Sequence, residues 1–577
     1  MQTGFIFSEF CWAFAAYAML VFPAFFLTRK YFSASSFSLQ FIAANIWGIA
    51  LAVYLISIIG HFGFDFFPYV LLLCYLILLV ILRKLPGSNS PLILSWKNDY
   101  ILALMLLVFI VRMIPLMFVD LPHGTDPSFH LVFIQKILNE HVTPANWLPF
   151  EEIPLNYSLG MHSFIALVAD FSGVVPHQIF KMGFVLFPAL AAGLIATLVE
   201  KITDSRSVAL WASLSWAFLA FWGGLEFFSW GGLPTLMGST MFLGLVATLL
   251  LSGQNFVFVP AAVILVAVIS THNHSGLSSL LVLMGYCGLS YIASRRMVGL
   301  GLNVFWTLAC SIPLGAHIIY KYVRDFVTMD GETGLFRFYE GLISIVNVVE
   351  ATGPYFFALV FPGIFIFVRR MEKESEYFWL SWFALLFSVF VGLEYLYRFV
   401  VYWLQGEFYT ALTPSRFLTV AGFPAAFFAG LTIDWLLSRI KEKGLRVCAI
   451  VMLLTGMGFY SHYILSRHAR PVGDVDFEAM QWIRENTSEN AFFLNNGKWF
   501  PYLAWREGSL TPLPSSERRN APSVRFKKNN LGRFEEFLAW QKDFSRPIYR
   551  LEQPEHRLMG RFIEVFRTKE TVIYVWR

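Results

Sequence analysis

Long apolar stretches separated by short polar segments make up most of the first 465 residues. Many stretches reach the roughly 20 residues that an α-helix needs to cross the hydrocarbon core of a bilayer. The pattern predicts a polytopic α-helical membrane protein with about 14 transmembrane helices. The predicted spans are residues 5–27, 38–60, 66–83, 100–119, 178–199, 207–227, 234–251, 256–271, 276–294, 299–320, 353–369, 377–396, 416–438 and 446–464.

Lys and Arg cluster in every second loop, and short loops of this kind are retained in the cytoplasm. Basic and non-basic loops alternate along the whole chain only if the apolar segment 157–173 does not cross the membrane. We therefore expect a juxtamembrane helix there. Both termini, the segment 120–177 and the loops 321–352 and 397–415 then fall on the external side. The cytoplasmic loops contain Arg29 and Lys30; Arg83, Lys84 and Lys97; Lys201 and Arg206; Arg295 and Arg296; Arg369, Arg370 and Lys373; and Arg439, Lys441, Lys443 and Arg446.

The chain becomes polar after the last span, and residues 470–577 predict a small external α/β domain. Phe477, Met480 and Ile483 have the spacing of an amphipathic helix. The last segment has two β-rich runs around a polar turn at Thr568–Glu570, which is typical of a hairpin. Between these elements we predict a strand at AFFLNN, a loop at TPLPSSERRNAPSVRFKKNN and a helix at FEEFLAW.

The composition argues against several kinds of site and ligand. All five cysteines fall inside predicted spans, so neither a disulfide framework nor a cysteine metal site is expected. The net charge of +5 comes mostly from the cytoplasmic loops and a basic tail, and it does not indicate nucleic-acid binding. The start, MQTGFIFSEF, lacks the features of a cleaved signal peptide, and we expect the first helix to stay. No sorting or retention signal is evident, which favours a prokaryotic inner (cytoplasmic) membrane.

The most informative polar segment is VDLPHGTDPSFH, which directly follows the span at 100–119. Ionisable groups beside apolar segments are costly to hold and usually line a site or an aqueous cavity. Asp126 precedes Pro127 and His130 lies one turn later, so the Asp is either a helix cap or a general base, and the two roles are compatible. Asp120 and His123 complete the cluster. His130 as an ordinary surface residue remains an alternative.

A divalent cation is one further interpretation of this segment. Carboxylate and imidazole groups are metal ligands, which makes Asp120, Asp126 and His130 the candidate set. Their spacing matches no strict ligand pattern, and no cofactor is assigned from the sequence.

Two more clusters fall on the same predicted external side. In NYSLGMHSF, Tyr157 and His162 are candidate substrate-binding residues or interfacial anchors. In ISTHNHSGLSS, His272 and His274 separate two spans, and a polar external turn would explain them equally well.

Candidate phosphate ligands occur later in the chain. Arg416 lies where a span re-enters the membrane, and Arg398 lies at the preceding external helix end. The guanidinium group binds phosphate well, whereas a snorkelling arginine is the structural alternative. Lys321 and Arg324 occupy a similar position at another helix end.

These features resemble the GT-C superfamily of integral-membrane glycosyltransferases, which use polyprenyl-phosphate sugar donors. Four segments carry the resemblance in this order: DPSFH, YSLGMH, TPSRF and QWIRENT. In that superfamily a loop Asp acts as general base and a cationic group holds the donor phosphate. The resemblance assigns those roles to Asp126 and Arg416, with Asp120 as a second catalytic candidate.

The resemblance also implies an organisation and a reaction. Residues 1–99 would be a three-helix transmembrane extension, residues 100–465 a GT-C-like catalytic module and residues 470–577 the soluble external α/β domain. A hexosyl or pentosyl group would pass, with inversion, from a polyprenyl-phosphate donor held in the lipid bilayer to a glycan, lipid or protein acceptor.

Three rival functions remain. A transporter or flippase of lipid-linked sugars would place ionisable groups near the middle of the membrane, where this sequence has few. An envelope glycan polymerase or ligase would depend on external arginines and histidines and not on Asp126. A non-catalytic assembly subunit would tolerate substitution throughout the acidic loop.

Overall fold

The computed structural model describes most of the chain. The described residues are 7–32, 36–62, 68–83, 99–119, 121–122, 126–144, 157–220, 224–225, 227, 231–252, 256–294, 299–321, 337–338, 353–369, 374–404, 409–410, 414–468, 476–488, 491–494, 500–505, 507–508, 548–552, 562–568 and 571–576.

Helices dominate the described residues, and every predicted span coincides with one. In chain order they are α1 (Phe7–Val21), α2 (Pro23–Tyr31), α3 (Phe37–His61), α4 (Pro68–Arg83), α5 (Tyr100–Leu116), α6 (Asp126–Glu140), α7 (Gly160–Ser172), α8 (Pro176–Thr203), α9 (Arg206–Phe218), α10 (Leu233–Leu251), α11 (Phe258–Thr271), α12 (Asn273–Ser294), α13 (Gly299–Leu314), α14 (Pro354–Val368), α15 (Glu374–Arg398), α16 (Pro414–Arg439) and α17 (Lys443–His468).

Seven of the described helices are long and apolar enough to cross a membrane. The first predicted span is a broken one, in which α1 and α2 meet at an angle of 44°. Pro23 is the first residue of α2, and a proline has no N–H to continue the ladder of α1. Four further helices, α5, α11, α13 and α14, are apolar but shorter. The prediction of a polytopic helical membrane protein is confirmed.

Helix α8 forms the centre of the bundle. All of its apolar window is buried, whereas only 11% of the corresponding window of α17 is. Arg112 on α5 is also buried and donates to the carbonyl of Ala217 at 2.9 Å, which joins α5 to α9.

The N-terminal helices pack closely on this bundle. Most of α3 is buried, and it lies against α7 and α11. Trp47 donates from its indole nitrogen to Thr248 of α10 at 3.0 Å. Tyr17 of α1 donates to Asn45 of α3 at 2.6 Å. A boundary between an extension and a catalytic module near residue 99 stays a prediction.

The C-terminal region contains a mixed five-stranded sheet, as predicted for an α/β domain. Its elements are α18 (Phe477–Asn486), β3 (Phe492–Leu494), α19 (Phe500–Ala504), β4 (Glu507–Gly508), β5 (Ile548–Glu552), β6 (Phe562–Arg567) and β7 (Val572–Trp576). Earlier in the chain, β1 (Arg337–Phe338) and β2 (Tyr409–Thr410) form a separate antiparallel pair. The strand order in the five-stranded sheet is β4, β3, β5, β7, β6. The predicted hairpin is confirmed, since β6 and β7 are antiparallel neighbours.

Helix α18 confirms the predicted amphipathic segment. Asp476 caps it by accepting from the backbone N–H of Ala479 at 3.0 Å. Trp482 stacks on Phe566 of β6, with ring centroids 4.9 Å apart. The predicted loop at TPLPSSERRNAPSVRFKKNN and helix at FEEFLAW lie outside the described residues.

Candidate active site

Helix α6 begins at Asp126, so the carboxylate occupies the first turn of a helix. The partial positive charge of a helix N-terminus favours an anion at that position. His130 follows one turn later and is 3% exposed. The sequence therefore fixes a carboxylate and an imidazole on one face of a short helix.

The second element of the site is α7, which brings His162 to His130. Nδ1 of His130 and Nε2 of His162 are 3.0 Å apart and hydrogen-bond to each other. Three aromatic side chains enclose the pair. Phe133 stacks on Tyr157 with centroids 5.6 Å apart, and Phe180 of α8 stacks on His130 at 6.1 Å.

Burial controls the protonation of this imidazole pair. Desolvation lowers the pKa of His130 to about 4, the charge of Asp126 opposes the shift and the charge of Arg416 adds to it. Burial, followed by the proximity of His130, also holds the pKa of His162 well below its usual value. Both rings are therefore neutral near pH 7, with one proton in the hydrogen bond between them.

A third histidine joins the same region from the corner between α11 and α12. The backbone N–H of Ser275 donates to Nδ1 of His272 at 3.3 Å, so that nitrogen is an acceptor and Nε2 carries the proton. Nε2 then donates to the hydroxyl of Thr235 at 3.1 Å. His274 lies beside it, with ring centroids 5.7 Å apart.

The electrostatic environment of His272 shows how closely the segments converge. Burial lowers its pKa most, and the neighbouring groups His274, Arg416, His130 and His162 lower it further. Four segments that are far apart in the sequence thus meet in one region. We did not predict from the sequence that they would be this close.

Glycine allows the closest of these approaches. A Cβ atom on Gly160 would lie 2.8 Å from the backbone oxygen of Ser270, closer than real atoms come. Ser158 donates to the carbonyl of Ile269 at 3.2 Å and also hydrogen-bonds to Asn273. The YSLGMH segment is therefore fixed against the THNHS corner by a small residue and a hydroxyl.

Arg416 is half-buried near the N-terminus of α16, three residues into the helix. Its charge reaches both His130 and His272. The guanidinium group and the N-terminal end of α16 are two features that favour a phosphate.

Two contacts that the sequence did not indicate support the site. Lys181 of α8 is buried and donates to the carbonyl of Val119 at 3.0 Å, which fixes the chain where the acidic loop leaves α5. The hydroxyl of Tyr502 on α19 lies 3.1 Å from Nδ1 of His177 at the start of α8. The C-terminal domain thereby packs against the helices that carry the site.

The structure brings together most of the residues chosen from the sequence. Asp120 and His123 lie outside the described residues, and Arg398 ends α15 with a side chain that is not described. The residues that meet are Asp126, His130, Tyr157, His162, His272, His274 and Arg416.

Within the described part of the chain, no three His, Cys, Asp or Glu side chains are grouped as metal ligands would be. His130 also uses Nδ1 to bind His162, which removes one of its two nitrogens from metal coordination. Of the candidate metal set, Asp126 and His130 are described, and they are not part of such a group.

Sequence comparison gives no relatives, since no protein-family model and no curated protein matches the chain. Solved structures do match. The oligosaccharyltransferase of Archaeoglobus fulgidus, tethered to an acceptor peptide, covers 80% of this chain and 70% of its own, with a TM-score of 0.53 and 13% identity.

ArnT from Cupriavidus metallidurans matches in two states. Its apo structure covers 83% of this chain and 98% of its own, with a TM-score of 0.51 and 12% identity. The structure bound to undecaprenyl phosphate covers 82% of this chain and 98% of its own, with a TM-score of 0.52 and 12% identity. Both proteins are GT-C membrane glycosyltransferases. The resemblance stated from the sequence is confirmed at the level of the fold, and this chain has the GT-C fold.

Proposed function

We propose that this protein is a membrane glycosyltransferase that moves a sugar from a polyprenyl-phosphate donor to an acceptor on the external face. The observation that supports it most is the convergence of Asp126, the neutral His130–His162 pair and Arg416 on a GT-C fold. A base and a phosphate-binding cation are the two groups that such a transfer requires.

The donor half of the proposal rests on Arg416. A polyprenyl chain stays in the bilayer, so its phosphate has to be bound at the membrane edge. Arg416 and the start of α16 offer a guanidinium group and a helix N-terminus there. ArnT binds undecaprenyl phosphate on the same fold, which supports a lipid phosphate as the ligand.

The acceptor half rests on Asp126. A neutral imidazole does not neutralise a carboxylate, so His130 leaves the negative charge of Asp126 available to accept a proton.

The transfer then takes place in one displacement. The acceptor hydroxyl loses its proton to Asp126 as its oxygen bonds to the anomeric carbon. The bond from that carbon to the phosphate oxygen breaks, and the lipid phosphate leaves with its negative charge stabilised by Arg416. Attack from the face opposite the phosphate inverts the anomeric configuration.

The acceptor is a glycan, a lipid or a protein. The oligosaccharyltransferase of the same fold was determined with an acceptor peptide, which favours an acceptor that enters from the aqueous side. The α/β domain packs on α6 through α19, so it lies near the path of such an acceptor.

A donor panel tests the function. Purified protein in lipid nanodiscs is incubated with individual polyprenyl-phosphate sugars and a mixture of glycan, lipid and peptide acceptors, and mass spectrometry scores donor loss and product. The proposal expects one donor to be converted to free polyprenyl phosphate and a glycosylated product. A parallel proteoliposome assay measures movement of the same donors across the bilayer, and movement without any conversion would contradict the proposal in favour of a flippase.

A further inference from the structure

A second pocket lies next to the candidate active site and has Tyr157 among its lining residues. It has a volume of about 80 Å³. A single water needs only about 10–15 Å³, so the pocket accommodates a larger group. Its walls come from the ends of α3, α7 and α11, the segment after α6 and the helical turns at 316–321.

Most of the exposed lining is apolar, and an ammonium group and two imidazoles are also among the lining groups. The polar lining residues are Ser57, His61, Thr143, Ser158, Ser163, Ser270, His317 and Lys321. None of the described lining residues is acidic. Basic groups without carboxylates favour an oxyanion.

The basic groups are held in place by contacts across chain segments. His317 and His61 lie with ring centroids 5.8 Å apart, although they come from different helical segments. Ser57 donates to the carbonyl of Tyr54 at 2.8 Å, so its oxygen accepts from Nε2 of His317 at 2.9 Å. Lys321 donates to the carbonyl of Tyr157 at 3.4 Å.

Close backbone packing closes one wall of the pocket. A Cβ atom on Gly60 would lie 1.9 Å from the hydroxyl oxygen of Thr143, so only glycine lets the segment after α6 approach the end of α3. The pocket is thus built jointly by α3 and the helices that carry the candidate active site.

We propose that this pocket binds an oxyanion, a phosphate or carboxylate carried by a lipid or by a water-soluble glycan, at a site distinct from Arg416. Lys321 supplies the charge and His61 supplies a directed hydrogen bond, while the hydrogen bond between His317 and Ser57 holds the ring of His317 beside that of His61. Tyr157 connects the two sites, because its carbonyl accepts from Lys321 and its ring packs against His162 at 5.5 Å between centroids.

The test measures binding and not turnover, so it is independent of the proposed transfer. Isothermal titration calorimetry at constant ionic strength follows inorganic phosphate and pyrophosphate binding to the full chain in detergent. Wild type is compared with Arg416→Ala, and Lys321→Met, His61→Gln and Lys201→Met are each added to Arg416→Ala so that only the pocket is measured. Lys201→Met is the same substitution at an exposed lysine of the opposite face. Thermal unfolding midpoints confirm that each variant is folded.

We expect Arg416→Ala to retain a binding site for the probes, with a Kd that rises at least about tenfold when Lys321→Met or His61→Gln is added and stays unchanged when Lys201→Met is added. An Arg416→Ala protein that binds neither probe overturns the proposal, and so does binding in it that Lys321→Met leaves unchanged. Nanodiscs with and without polyprenyl phosphate then identify the source. Competition by the lipid supports a lipid headgroup, and undiminished binding supports a water-soluble glycan.

Discussion

Two regions of this protein share Tyr157. On one side its ring packs against His130 and His162 in a closed cluster. On the other side its carbonyl accepts from Lys321, whose side chain lines an open pocket with His61 and His317. Both regions contain paired imidazoles, yet their surroundings differ.

The comparison shows how burial controls the protonation and the accessibility of a histidine. In the closed cluster the two rings hydrogen-bond to each other and desolvation keeps them neutral, so the charges beside the pair are those of Asp126 and Arg416. In the pocket, His61 and His317 share a solvent-accessible cavity with the ammonium group of Lys321, and His61 is the imidazole that we expect to contact a ligand. The first region suits chemistry between two charged groups, and the second suits binding.

The largest expected effect comes from Asp126→Asn. Removing a general base typically costs about 10²–10⁴-fold in rate, so we expect kcat to fall by that amount while the protein stays folded. Donor conversion by mass spectrometry measures it. Asp170→Asn, at an exposed position of α7, is the matched control and keeps its activity. Equal activity in both variants would remove Asp126 from the mechanism.

Arg416→Ala should have the next largest effect. A hydrogen bond to a charged group contributes about 1.5–3 kcal/mol, which corresponds to roughly 10- to 150-fold weaker donor binding. We expect the donor KM to rise, with partial recovery in Arg416→Lys because a lysine keeps the charge and loses the planar fork. An unchanged donor KM would show that the lipid phosphate binds elsewhere.

Acidification should destabilise the closed cluster. The pKa of His130 is about 4 in the folded chain and 6.5 in its usual state, so below pH 6.5 the unfolded chain binds the proton more readily. The stability that the neutral ring of His130 contributes to the fold is fully present above pH 6.5 and is lost as the pH falls towards 4. At pH 5.5 the loss from His130 is about 1.4 kcal/mol of unfolding free energy.

Unfolding midpoints between pH 7.5 and 5 measure this effect in detergent. His130→Gln should unfold with a weaker dependence on pH than wild type. His462→Gln, at an exposed histidine of α17, should leave the dependence unchanged. Equal pH dependence in wild type and His130→Gln would contradict the neutral state assigned to this ring.

The smallest effect concerns the support of the closed cluster by the C-terminal domain. Tyr502→Phe removes the hydroxyl that contacts His177 at 3.1 Å, and a hydrogen bond of this kind contributes about 0.5–1.5 kcal/mol. We expect a lower unfolding midpoint and a small decrease in kcat. The midpoint is measured against Tyr463→Phe, an exposed tyrosine of α17, and equal midpoints would show that the contact is dispensable.

Hydropathy and the basic loops were enough to predict the helices, because membrane spans and buried helices both need continuous apolar runs. Hydropathy could not distinguish helices that face lipid from those that face protein. Helix α8 and helix α17 were both predicted as spans, yet one is central and the other peripheral.

The candidate site was predicted as four separate clusters. Asp126 and His130 could be paired from helical spacing alone. The contact of His130 with His162, and the proximity of His272 and Arg416, depend on tertiary packing that no local pattern encodes. Gly160 appeared in the sequence as part of a motif, and the structure gives it a physical reason, its approach to Ser270.

The pocket was missed because each of its basic residues resembles an ordinary helix end. His61 ends α3, and His317 and Lys321 lie in the turns after α13. A polar residue at the edge of a span is common, so none of these positions indicates a ligand by itself. Only their juxtaposition across chain segments does so.

The anomeric configuration of the product tests the central claim most directly, namely that Asp126 deprotonates the acceptor in a single displacement. Proton NMR of the product, formed from a donor of known configuration under single-turnover conditions, gives the answer. A product with the opposite configuration agrees with Asp126 as a base. A product that keeps the donor's configuration contradicts the account, because it requires a carboxylate that first bonds to the sugar.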